Sequence, residues 1–257
     1  MIMDYDRLPD ILRELRSNIG GEYVTDNKEF YRIDGLECGL FVRPTNLDHL
    51  SKVMSIATKY KLAVTPRGGG TMSALGNPPA RMDLIVDTSN LNTIIHHNPA
   101  DMTINVQAGI TLTNLQRILG CQGQFLAIDP PLPDHSTIGG ILASGASGPL
   151  RWHYGHPRDS VIGMKVVQAD GTITKSGGQV VKNVSGYDMS RLHIGGLGTL
   201  GIISEVAFKL TPVPKTQETV VAMFETYDAA LAAAIDIFQS AFNPLSLATF
   251  KETENNS

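Results

Sequence analysis

A chain of 257 residues with 42% hydrophobic and 18% charged residues has an ordinary globular composition and the length of one large domain or two small ones. Its net charge of −4 argues against a broadly basic face for nucleic acid, and no apolar run reaches the roughly 20 residues of a membrane helix. Residues 1–6 carry no basic-then-apolar leader, and Cys38 and Cys121 fit neither a metal-ligand spacing nor a disulfide framework, so a soluble cytoplasmic protein with two reduced cysteines is expected.

Leu8, Ile11, Leu12, Leu15 and Ile19 recur at helical spacing and predict an opening helix over residues 7–19. Residues 40–44 read as a strand, and residues 45–48 can cap a helix running to about Tyr60. The next strand, residues 63–66, ends abruptly in Arg67-Gly68-Gly69-Gly70-Thr71. This order predicts a parallel βαβ unit whose second strand delivers a glycine loop. Residues 84–87 and 103–107 read as strands and residues 112–119 as a helix. A proline-rich traverse over residues 126–140 leads to a short helix or turn near 141–147. A strand over 161–168, a hairpin turn at Asp170-Gly171 and a return over 173–175 follow. Residues 201–210 and 219–224 are further strand candidates, and residues 228–240 a helix. His96 and His97 read as exposed loop residues. The pattern changes near residue 93 from βαβ signals to antiparallel ones, so the expected fold is α+β: two mixed α/β subdomains, about 40–92 and 93–213, sharing a crevice.

Glycine is the unusual feature: 14 of the 25 glycines fall between Gly139 and Gly201. Three clusters stand out, at residues 67–71, 136–148 and 195–201. Successive glycines can turn their N–H groups into one concavity, which suits a phosphate; the plain alternative for residues 67–71 is a turn between strands. The spacing is neither a P-loop nor a dinucleotide-binding G-x-G-x-x-G run that opens a helix. His153 and His156 are three apart, but Gly155 and Pro157 argue for a loop rather than a metal-binding helix, and no metal is expected.

Taken in order, these elements resemble the FAD-binding domain of the vanillyl-alcohol oxidase and p-cresol methylhydroxylase superfamily. The matching pieces are the P-x-G-G-G-T loop, the strand ending in Asp87, the V-x-A-G segment at Val106 to Gly109 and the T-I-G-G element at Thr137 to Gly140. Tyr154-Gly155, Asp159, Asp170-Gly171 and the G-T-L-G-I-I element at Gly198 to Ile203 complete the series. Residues 147–151 and 181–188 are most similar to the FAD-binding subunit of bacterial glycolate oxidase complexes. The resemblance implies that Arg67, Gly68, Gly69, Gly70, Thr71, Met72 and Ser73 wrap the FAD pyrophosphate. It puts Asp129, Pro130, Pro131, His135, Ser136, Thr137, Gly139 and Gly140, with Ser144, Gly145, Ala146 and Ser147, along the flavin and ribityl side. Leu197, Gly198, Thr199, Leu200, Gly201, Ile202 and Ile203 would pack along the cofactor. Relatives with covalent flavin often carry a histidine in the first loop; Gly68, Gly69 and Gly70 stand there, which implies non-covalent FAD. Gly69→Val is expected to obstruct the phosphate and to resist a positive φ.

Lys182, Tyr187 and His135 are the candidate catalytic side chains; a cation such as Lys182 near a flavin can stabilise negative charge on the reduced ring, and a structural salt bridge is its alternative. Only 44 residues follow Val213, too few for the whole cap domain of such flavoenzymes. Residues 1–39 read as a helical lead-in, 40–213 as the FAD domain and 214–257 as the start or remnant of a cap. The expected function is the FAD-binding subunit of a glycolate or 2-hydroxy-acid oxidoreductase complex, inactive without partners. Those partners would be a cap-bearing FAD subunit and an iron–sulfur subunit, the assembly being cytoplasmic or peripheral to the inner membrane. An assembly module with an idle flavin and a compact stand-alone oxidase are the alternatives.

Overall fold

In the computed structural model, which describes residues 7–26, 32–33, 35–178 and 189–251, the opening helical pattern forms α1 (Leu8–Ile19). Its buried stripe is Ile11, Leu12, Leu15 and Ile19. A 3-10 turn leads into β1 (Val24–Thr25), and β2 (Arg32–Ile33) pairs with β3 (Leu36–Glu37) as a small antiparallel ribbon. The βαβ unit comprises β4 (Leu40–Val42), α2 (Leu47–Lys59) and β5 (Val64–Arg67), followed by β6 (Leu84–Asp87). The Asn46 side chain accepts the His49 amide at 2.8 Å and caps α2. The sheet order is β1-β4-β6-β5, with β4, β6 and β5 parallel and β1 antiparallel at one edge. Every residue of β4 and β6 is buried, as expected of strands covered on both faces.

The second half supplies β7 (Ile94–Asn98), β8 (Thr103–Gln107), α3 (Leu112–Gly120), β9 (Gln124–Phe125) and α4 (Ile138–Ser144). The short helices α5 (Arg151–Tyr154) and α6 (Pro157–Ser160) precede β10 (Val161–Val167) and β11 (Ile173–Gly177). Then come α7 (Ser190–His193), β12 (Ile202–Lys209) and β13 (Thr211–Pro212), which pairs with β9. These strands build an antiparallel sheet in the order β11-β10-β12-β8-β7. One apolar core lies between α1, α2 and the parallel sheet; a second joins α3 and α4 to the antiparallel sheet. Val167 and Ile202 extend from the antiparallel sheet into the first core. The same junction is clasped by hydroxyls: Ser51, Ser55 and Thr58 along α2 donate to the carbonyls of Gly171, Asp170 and Ala169 in the β10–β11 turn.

Two expectations need correction. His96 and His97 lie in strand β7, and His97 Nε2 is 2.9 Å from Gln124 Oε1, because β8 offers this segment a paired neighbour. Residues 219–224 form no ladder: their apolar pattern suits a strand, but no described strand lies alongside. The following helix does form, as α8 (Tyr227–Gln239) with Thr226 accepting the Ala229 amide, yet it buries no residue.

Candidate functional site

Arg67 ends β5, and the glycine loop begins at once. Only one glycine of its triplet, Gly70, has a left-handed backbone (φ 74°). Gly68 and Gly69 are needed for closeness instead. A Cβ on Gly68 would overlap the Thr137 hydroxyl, and one on Gly69 would overlap the His135 carbonyl oxygen. This corrects the expectation of a positive φ at Gly69. The contact is completed by Thr71 Oγ1, 3.1 Å from Ser136 Oγ, whose hydroxyl donates to the Pro131 carbonyl at 2.8 Å. Met72 and Ser73 continue the loop outward, with the Ser73 hydroxyl on the Gly70 carbonyl.

The second cluster surrounds α4. Thr137 caps it by accepting the Gly140 amide at 3.3 Å, and Gly139 lets the helix touch Ala108, whose carbonyl accepts the Gly139 amide at 2.7 Å. Ser144 donates back to the Gly140 carbonyl, and Gly145 ends α4 in the left-handed conformation. Ala146 folds back to the Ile141 carbonyl. Asp129 accepts the amides of Gly148 and Leu150, each at 2.9 Å, so its carboxylate fixes the turn just after Ser147. Pro130 is buried, while Pro131 and His135 are exposed at the rim.

The third cluster docks on the second. The Gly195 and Leu197 amides donate to the Leu142 and Ala143 carbonyls at the end of α4. Leu197 itself has a positive φ, Gly198 lies against Pro66, and Gly201 turns into β12. Leu200 is exposed and the Thr199 hydroxyl bonds to Gly196, whereas Ile202 and Ile203 are buried in the sheet. Lys182 and Tyr187 lie outside the described residues, so of the three candidate catalytic side chains only His135 is placed. Beyond the loop, His193 in α7 is partly buried, which pushes its pKa below the ordinary value.

The donor set suits a pyrophosphate. Among the described residues, the amides of Gly68, Gly69, Gly70, Thr71 and Met72 have no acceptor, nor have those of Gly198 and Leu200. Runs of unpartnered N–H groups from glycine-rich backbone make an anion-binding concavity.

Residues 39–177 match the family described as an FAD binding domain. The chain belongs to this family of FAD-binding domains. The glycolate oxidase subunit GlcD of Bacillus subtilis is 35% identical over 206 residues, which are 80% of this chain and 44% of that protein. The glycolate oxidase subunit GlcE of Escherichia coli is 33% identical over 162 residues, 63% of this chain and 45% of that protein. The crystal structure of p-cresol methylhydroxylase superposes with a TM-score of 0.72 at 18% identity, covering 84% of this chain and 45% of that one. The fold is therefore the p-cresol methylhydroxylase type of FAD-binding fold. The chain spans less than half the length of these two curated relatives.

Sequence reasoning missed a group of side chains beside the glycine loop: Arg43, Asp87, Asn92, Asn114 and Arg117 line a crevice with Gly68 and Gly69. Arg43 directly follows β4, and Asp87 ends β6. Polar residues at the carboxyl ends of parallel strands were the available signal.

Proposed function

We propose that this chain holds FAD without a covalent bond and serves as the FAD-binding part of a glycolate or related 2-hydroxy-acid oxidoreductase. The observation that carries the proposal is the run of unpartnered amides at residues 68–72, in a loop whose three successive glycines offer no side-chain nucleophile. The pyrophosphate would lie on these amides, in a cleft that this reading places between residues 70–76, the end of α4 with residues 144–148, and residues 195–201. Ile202 and Ile203 would support that cleft from β12, and Asp129 would hold its 144–148 wall through the Gly148 and Leu150 amides. Bound there, FAD supplies a two-electron acceptor for oxidation of a hydroxyl-bearing carbon. His135, exposed beside the loop, would bind or orient an acidic substrate, and Lys182 and Tyr187 are the further candidates for moving a proton or balancing charge.

Residues 40–213 would form the FAD domain, and residues 214–257 the beginning of a cap. In this reading the role is partner-dependent: a cap-bearing FAD subunit and an iron–sulfur subunit would complete the electron path, in the cytoplasm or at the inner membrane through those partners. No helix among the described residues is long and apolar enough to cross a membrane. The purified protein is expected to be yellow and to release FAD into the supernatant on acid precipitation. Flavin pelleting with the protein would overturn non-covalent binding, and FMN in its place would remove the pyrophosphate from the reading. Reduction of the bound flavin by glycolate only after partner subunits are added would support the partner-dependent role; equal reduction by the isolated chain would overturn it.

A further inference from the structure

The crevice behind the glycine loop borders the cleft proposed for FAD and extends away from it, towards Arg43, Asn92 and Arg117. It takes Arg67, Gly68, Gly69, His135 and Thr137 into its lining but none of residues 71–73, 144–147 or 197–203. Its cavity volume is about 580 Å³, within the range of small-molecule sites.

At its floor two guanidinium groups share one carboxylate. Arg43 Nη2 and Arg67 Nη1 approach the same oxygen of Asp87, Oδ2, at 3.3 and 3.4 Å, while Oδ1 accepts the Ser89 amide at 2.8 Å. Asp87 is 1% exposed, so one buried carboxylate faces two guanidinium groups. Arg43 Nε is buried and has no hydrogen-bond partner among the described residues. On the facing wall, α3 contributes Asn114 and Arg117, and Arg117 has no carboxylate within 4.0 Å among the described residues. Asp134 at the rim is engaged by the Thr113 hydroxyl at 2.7 Å. Three arginines against two aspartates leave the lining with a net charge of +1.

We propose that this crevice binds a small phosphate monoester alongside the flavin, as a second ligand and not in its place. A planar carboxylate is satisfied by one forked guanidinium, whereas a tetrahedral phosphate accepts from several donors in different planes. Here the guanidinium groups come from two strand ends and a helix. Ile110 and Ile118 give the carbon skeleton an apolar strip. Because Gly68 and Gly69 border the crevice, its occupant touches the loop to which FAD binding is assigned, and each ligand is then expected to alter the affinity of the other.

The test is calorimetric titration of the full chain, saturated with FAD, using inorganic phosphate and glycerol 3-phosphate at constant ionic strength, with glycolate as the carboxylate control. Saturable binding of both phosphates is expected, tighter for the ester, with glycolate much weaker. Arg117→Ala, at an exposed helix position, is expected to weaken phosphate binding about tenfold or more, one lost charge-assisted contact, with flavin content unchanged. No saturable binding, equal affinity in the variant, or glycolate binding as tightly as phosphate would each overturn the proposal. Loss of flavin from Arg117→Ala would also overturn it by moving the pyrophosphate into the crevice, which leaves FAD binding itself standing.

Discussion

The carbonyl oxygen of His135 stands where a Cβ on Gly69 would have to sit. The loop after β5 and the loop before α4 therefore meet backbone to backbone, and any side chain at position 69 must drive them apart. Gly69→Ala is expected to destabilise the fold by about 1–3 kcal/mol, the usual range for overpacking, and to lower FAD affinity by displacing the amides of residues 68–72. At Gly70 the first atom that a Cβ meets is the end of the Arg67 side chain, which can move, so Gly70→Ala meets mainly the penalty of about 1–2 kcal/mol for a left-handed residue. Denaturation midpoints and flavin content of the two variants check this; a wild-type midpoint for Gly69→Ala would show that the loops are not in contact.

Asp87 is the common counter-charge at the carboxyl ends of the parallel strands. Asp87→Asn leaves Arg43 and Arg67 with no carboxylate between them, and breaking such an arrangement is expected to be destabilising by about 3 kcal/mol. Urea denaturation measures it. A change under about 0.5 kcal/mol, typical of exposed ion pairs, would mean that solvent already screens both guanidinium groups.

The clasp between α2 and the β10–β11 turn joins the two halves through Ser51, Ser55 and Thr58. Replacing all three by alanine removes three hydroxyl–carbonyl bonds of about 0.5–1.5 kcal/mol each, the low end applying to the more exposed Ser55 and Thr58. Stability is expected to fall by about 2 kcal/mol. Amide exchange should rise first at Gly171 and Thr172; unchanged exchange there would place the junction's stability in the apolar core alone.

His193 gives a pH dependence. Burial lowers its pKa from the ordinary 6.5, so the unfolded chain binds this proton more readily than the folded one. The stability associated with the neutral ring is complete above 6.5 and is lost as pH falls through the lower folded value. The thermal midpoint of the native protein should therefore drop more steeply below pH 6.5 than that of His193→Gln. Parallel profiles would show that His193 ionises equally in both states.

The long elements were legible because their periodicity is local. The opening helix, α2, β6 and β8 fall within two residues of the boundaries read from apolar spacing. The two-residue strands β1, β9 and β13 were not, since so short a segment has no period and exists only through its partner. The glycine loops were visible as loops, but not the purpose of each glycine: Gly69 and Gly139 are set by what approaches from elsewhere, His135 and Ala108. The Arg43–Asp87 pairing was invisible for the same reason, its partners being 44 positions apart.

The clearest departure from local pattern is the C-terminal segment, which yields the last prediction. Val220, Val221 and Met223 are more than four-fifths exposed, and α8 leaves Leu231, Ile235 and Phe238 in solvent. Its principal aromatic contact with the FAD domain is Phe238 against Trp152, at 5.1 Å between ring centroids. A surface of this kind contributes little to the fold and attracts apolar partners. Truncation after Lys215 is therefore expected to change the unfolding free energy by less than about 1 kcal/mol and to retain flavin, because it removes no residue of either core. Binding of an apolar dye should fall, and emission from Trp152, the single tryptophan, should shift to the red as Phe238 departs. Collapse of the fold or loss of flavin on truncation would make this segment part of the FAD domain itself rather than a surface awaiting a partner.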